Sequence, residues 1–246
     1  MPLAVPLSHS QIAAAGRLHQ RLEQWCQADA ALLRLRDSLP DFDADSCLLK
    51  AVVVNSLYST SVLAIAAMAR QICAVMACKD LQASGCELVD RIAPLMLDPG
   101  EAPRKFISFA SKFCHFFVDE ERFPIYDGAA RSALRMHLGS TRIGSPTDSA
   151  YAAFREDLAR LRGEAGLACS NREIDRYLWI TGMYMKWQKD RKKKDFAMNV
   201  ELKQVFEQPT TEQDADLHAL LPDSVAGAGS CGRASGGRQE GRGQGH

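Results

Sequence analysis

Two ionisable residues occupy positions where ionisable side chains are uncommon. Asp127 follows the run Phe123-Pro124-Ile125-Tyr126 and precedes Gly128. A residue before proline avoids the helical region, and aspartate is a preferred helix N-cap, so the spacing predicts Asp127 at a helix start beside aromatic walls. A carboxylate held there is either a plain cap or a catalytic group. Lys112 lies within Phe-Ala-Ser-Lys-Phe-Cys-His-Phe, a lone cation in an otherwise apolar helix. It either snorkels toward solvent or supplies an amine to a site. His115 beside Cys114 is a poor metal hint, because neighbouring residues face different sides of a helix and no second pair at ligand spacing follows. No metal or other cofactor is expected. Lys186 to Lys194 holds six basic residues and one acid. That run reads either as a solvated helix end, where cations are favoured, or as a set of phosphate contacts that would weaken with salt.

Helices must position these groups. Phe106, Phe109, Phe113, Phe116 and Phe117 recur at three- and four-residue steps, so Lys112 sits on a core helix. Ser10 to Leu39 has a helical pattern through Leu18, Leu22, Trp25, Leu32 and Leu35, and Pro40 ends it. Asp45 or Ser46 can cap the next segment, Leu48 to Cys78, a long apolar stretch expected to be central and broken near Asn55 to Ser61. Ser84 to Glu87 matches a capping box opening a helix to about Met96. From Asp127 a helix runs to His137, and Gly139 closes it. Ser145-Pro146 opens another to about Arg162, and Ser170 to Glu173 repeats the capping box before a long helix through Met185. No repeat and no alternating strand pattern occurs. The expectation is an all-α bundle over residues 1–207, followed by a disordered Gly/Arg/Ser-rich tail over 208–246.

The totals exclude more than they suggest. The chain has 246 residues, and 30 Lys+Arg balance 30 Asp+Glu, so any nucleic-acid affinity must come from a local patch. No basic leader with a continuous apolar run and no uninterrupted membrane-length segment is present, and the eight cysteines are scattered. A cytoplasmic protein with reduced thiols and no membrane partner is expected.

Phe123 to Leu134, FPIYDGAARSAL, resembles the segment of the helix-hairpin-helix DNA glycosylases in which a short extended stretch presents the essential aspartate. Ser56 to Ser61 is similar to that family's Ser-x-Gln-x-Thr-Asp turn, with Tyr58 at the Gln position, Thr60 matching and Ser61 replacing the Asp. The motifs follow the family's order and span the middle half of the chain. The resemblance implies a helical glycosylase-like fold acting on a modified base in DNA, possible 8-oxoguanine included. Asp127 would stabilise the sugar cation, while Tyr58, Phe123, Tyr126 and Trp179 would be available to wall a flipped base. Lys105 or Lys112 would take the place of the family's Schiff-base lysine. An alternative alignment puts Ser108 at that position, as in monofunctional adenine enzymes. Ser108, Ser111, Thr60, Lys192 and Lys193 complete the expected DNA contacts. The family's hairpin is not intact: Gly100 remains, but Glu101 brings negative charge to a phosphate-binding turn. A non-catalytic nucleic-acid-binding or interaction protein on the same helices is the competing expectation.

Overall fold

Polar caps set most of the helix starts. The computed structural model describes residues 2–78, 87–98, 100–141 and 149–221. Among them are eleven helices: α1 His9–Gln20, α2 Glu23–Ser38, α3 Ala44–Leu57, α4 Ile65–Met76, α5 Glu87–Ile92, α6 Ile107–Phe117, α7 Gly128–Leu138, α8 Ala150–Ala165, α9 Asn171–Asp190, α10 Val200–Glu207 and α11 Thr211–Leu220. The strand content of the described residues is one antiparallel pair, β1 Pro94–Leu95 with β2 Arg104–Lys105. The fold is all-α. Ser8, Ser170 and Thr210 each form a capping box with the residue three positions on. No described helix is long and apolar enough to cross a membrane.

The helices fall into two packed groups. In one, α9 lies against α7 and α1, and α1 also packs on α11. In the other, α6 is surrounded by α2, α3 and α5, with α4 against α3. Phe109, Phe113, Phe116 and Phe117 fill the second core as the spacing predicts. Gly182 of α9 permits the closest approach in the first group, since a Cβ there would fall 2.1 Å from the Ala129 carbonyl oxygen of α7.

Several boundaries differ from the sequence-based expectations. The Ser10–Leu39 pattern is two helices, because the chain turns at Arg21–Leu22 and Leu22 drops into the core. Asp43 caps α3 rather than Asp45 or Ser46, its carboxylate accepting from both of their amides. The long apolar stretch, by contrast, breaks within Asn55–Ser61 as expected: α3 ends at Leu57, and Ser59 and Ser61 adopt positive φ. Asn55 holds that turn: its Oδ1 accepts from Thr60 Oγ1 and the Val62 amide. The helix from Glu87 ends at Ile92, short of Met96, because the chain turns extended to pair with β2. Its expected cap at Ser84 and the Ser145-Pro146 cap lie outside the described residues, and Ser149 caps α8.

The folded domain also continues past 207. Helix α11 buries Leu217 and Leu220, and Asp216 accepts from Arg17 Nη2 at 2.6 Å, so residues 208–221 are part of the bundle. The local composition there is polar, but its apolar face is completed by α1. The remainder of the expected tail, 222–246, lies outside the described residues.

Candidate active site

Asp127 and Lys112 meet at the seam between the two helical groups. Tyr126 arrives extended, held by its amide donating to Ser111 Oγ at 3.0 Å. Asp127 then caps α7, with Oδ1 accepting from the Ala130 amide at 2.8 Å. Its other oxygen, Oδ2, lies 3.6 Å from Lys112 Nζ. The lysine does not snorkel out. It is buried, donates to Ser108 Oγ at 2.9 Å, and stands 5.9 Å above the Tyr58 ring. Burial lowers its pKa below the ordinary lysine value, while the Asp127 carboxylate pulls the other way.

These groups open on a cavity whose walls come from α1, α2, the end of α3, and from α6, α7 and α9. Trp25 and Trp179 meet edge to face, centroids 4.7 Å apart, and Tyr58 packs against Trp25 and Phe116. The cavity left among the lining side chains is small, about 40 Å3. A ring stacked between two aromatic faces needs them about 7 Å apart, twice a carbon–carbon contact. A base therefore enters here only after the two indoles separate.

A buried ionic network forms the far wall. Asp29 of α2 accepts from the Tyr58 hydroxyl and from Arg172 Nη2, and His19 Nε2 lies 3.7 Å away. Arg172 Nη1 donates to His115 Nε2 at 2.8 Å, so Nδ1 carries the ring proton and donates to the Phe123 carbonyl at 2.9 Å. Burial is the main cause holding both imidazoles neutral, His115 to about pH 3 and His19 to about pH 4. Asp175 accepts from the Ile125 amide at 3.0 Å through Oδ2, and burial raises its pKa well above the carboxylate range.

Three polar atoms on this cavity have no hydrogen-bond partner: Trp25 Nε1, Asp175 Oδ1 and Arg176 Nε. Buried polar groups are satisfied in the great majority of cases, so three on one cavity mark a place for a polar ligand. A wider groove continues outward from Tyr58, Asp127 and Trp179, past Ser59, Gly128 and Ser132 to Lys186 and Lys189.

The sequence candidates divide sharply. Asp127, Lys112, Tyr58 and Trp179 line the cavity. Ser108 supports the lysine, Ser111 the extended stretch and Thr60 the Asn55 turn. Phe123 is a fully buried core residue. Tyr126 packs on Tyr151 and Phe154 instead of facing a ligand. Lys105 is exposed on β2, and neither it nor Lys192 or Lys193 lines the cavity; Lys193 Nζ pairs with Asp190 at 2.6 Å. Sequence reasoning did not single out His19, Asp29, Arg172, Asp175 or Arg176. Their signal was the four-residue spacing of Arg172 with Arg176 and of Asp175 with Trp179, which sets each pair on one face of α9. Among the described residues no group of three or more His, Cys, Asp or Glu could hold a metal.

No curated protein and no solved structure shows significant similarity to the chain. A family model described as an N-terminal domain, HI_0787_N, matches residues 11–121. That match takes in His19, Trp25, Asp29, Tyr58 and Lys112, and it ends before Asp127 and the α9 half of the site.

Proposed function

We propose that the protein is a DNA glycosylase-like enzyme that cleaves the N-glycosidic bond of a modified base. The observation carrying this reading is the 3.6 Å approach of Lys112 Nζ to Asp127 Oδ2 on a cavity walled by Tyr58, Trp25 and Trp179. Bond cleavage builds positive charge on the sugar, which a carboxylate at close range stabilises. A buried lysine whose pKa is lowered gives up its proton more readily, as an attack on the sugar carbon would require. Aromatic walls suit an extruded base, once the indoles part. The Lys186–Lys189 groove beside Asp127 offers charge for flanking phosphates. Base release from a panel of damaged duplexes, 8-oxoguanine included, with borohydride trapping of any Lys112 adduct, tests the reading. Absence of both release and adduct across the panel would end it.

A second reading has one observation in its favour. Glu101 is exposed beside Gly100, whose φ is +93°, at the turn where a phosphate-gripping hairpin would lie. A non-catalytic nucleic-acid-binding protein on these helices would bind duplex equally well after Asp127→Asn and release no base.

A further inference from the structure

We propose that Asp175 is the general acid of the site, its Oδ1 delivering the proton that a departing base takes with it. The assignment rests on the glycosylase reading and adds to it a second carboxyl group with a separate task. Asp175 is 5% exposed and lies on α9 across the cavity from the N-terminus of α7. Its two oxygens are not equivalent. Oδ2 is fixed by the Ile125 amide at 3.0 Å, while Oδ1 is buried with no partner on a residue that lines the cavity. A buried acid with one oxygen anchored and the other unsatisfied is held ready to donate into the space beside it.

The surroundings separate the two carboxyl groups. Asp127 is the N-cap of α7, and its Oδ2 lies 3.6 Å from Lys112 Nζ. Asp175 is buried, and this dominates its raised pKa, with Asp127 and Glu121 adding in the same direction. The Ile125 amide bond and Arg172 oppose the shift without cancelling it. His115, with Nδ1 3.6 Å from Asp175 Oδ2, is neutral down to about pH 3 and supplies no countercharge. Lys112 and Arg176 are further cations on the same cavity. A buried carboxyl group with a raised pKa beside a second one facing a cation suits a division into acid and charge-stabilising roles.

The step balances. The C1′–N bond breaks, and its electron pair goes to the base, which takes the Oδ1 proton and leaves neutral. In the hydrolytic route the sugar cation, faced by the Asp127 carboxylate, is captured by water in place of the Lys112 amine. The water's proton returns to Asp175 and restores the acid.

The test is the pH dependence of base release under single-turnover conditions, on whichever panel duplex the wild type processes. Wild-type release should fall about tenfold per pH unit above the acid's ionisation. Asp175→Asn should lose about 10²–10⁴-fold, the usual contribution of a general acid, and its remaining activity should lack the basic limb. A variant that keeps the limb, or loses under tenfold, overturns the assignment while leaving the glycosylase reading intact. No release by the wild type overturns both. Should the asparagine variant fail to fold, the wild-type profile decides, since a rate with no basic limb excludes a protonated Asp175 as the donor.

Discussion

Gly182 of α9 rests on the Ala129 carbonyl of α7, so the two helices that carry Trp179 and Asp127 touch through backbone. Replacing Gly182 by alanine would put a methyl group 2.1 Å from the Ala129 oxygen, a contact that only helix separation relieves. We expect a loss of about 1–3 kcal/mol, the ordinary range for overpacking, at about 2–4 °C in Tm per kcal/mol for a chain of this size. Thermal unfolding followed by circular dichroism reads it directly. An unchanged Tm would mean that the helices are not held this closely.

Asp127 has two separable duties. Asparagine also caps helices, so Asp127→Asn should keep α7. Both it and Asp127→Ala leave the buried Lys112 without its carboxylate, and the alanine variant should lose about 1 kcal/mol more through the missing cap. Both should abolish base release, because neither presents a carboxylate. Urea titration and a release assay on the two variants check the split. Equal activity in wild type and Asp127→Asn would remove the residue from the chemistry.

The buried imidazoles make folding sensitive to mild acid. His19 stays neutral in the folded protein to about pH 4, and His115 to about pH 3, while in the unfolded chain each binds a proton near 6.5. Below about pH 6.5 the unfolded state therefore holds more protons, so stability falls on acidification until the folded values are reached. Asp175 acts with the opposite sign, since its raised pKa withdraws stability as pH rises. Each histidine can contribute a slope of up to about 1.4 kcal/mol per pH unit. Urea midpoints between pH 7 and 4 should drop for the wild type and drop less steeply for His19→Gln.

Arg172 joins the two helical groups through Asp29 and His115. Removing it leaves the Asp29 carboxylate buried with the Tyr58 hydroxyl and a neutral His19 beside it. Arg172→Ala should cost about 3–5 kcal/mol, the usual effect of breaking a buried pair by removing one partner. Chemical denaturation measures the loss. A variant within 1 kcal/mol of the wild type would show the network to be dispensable.

If the groove beyond Asp127 carries DNA phosphates, Lys186 and Lys189 do the carrying. Changing both to alanine should lower the slope of log affinity against log salt by about 1.8, at roughly 0.9 per phosphate contact. The pair Lys192 and Lys193 should have a smaller effect, as neither lines that groove.

Much of this protein can be read along the chain. Asp127 at a helix start follows from the preceding proline and the cap preference of aspartate, and Lys112 stands out as a lysine among the phenylalanines of its helix. Capping boxes at Ser170 and Ser8 depend on residues three apart, so local sequence determines them. What only the tertiary structure decided is the company these two residues keep. Asp29, Arg172 and Asp175 look like ordinary surface charges, since whether a polar side chain is buried depends on elements far along the chain, 50 residues away for Asp175 and Ile125 and 143 for Arg172 and Asp29. The Tyr58 hydroxyl finds Asp29 within one helical group, and Arg172 reaches both Asp29 and His115 across the seam between groups. Likewise α11 reads as polar tail until α1 covers its apolar side. Helical spacing is a property of a few consecutive residues, whereas a site at a seam is made by packing.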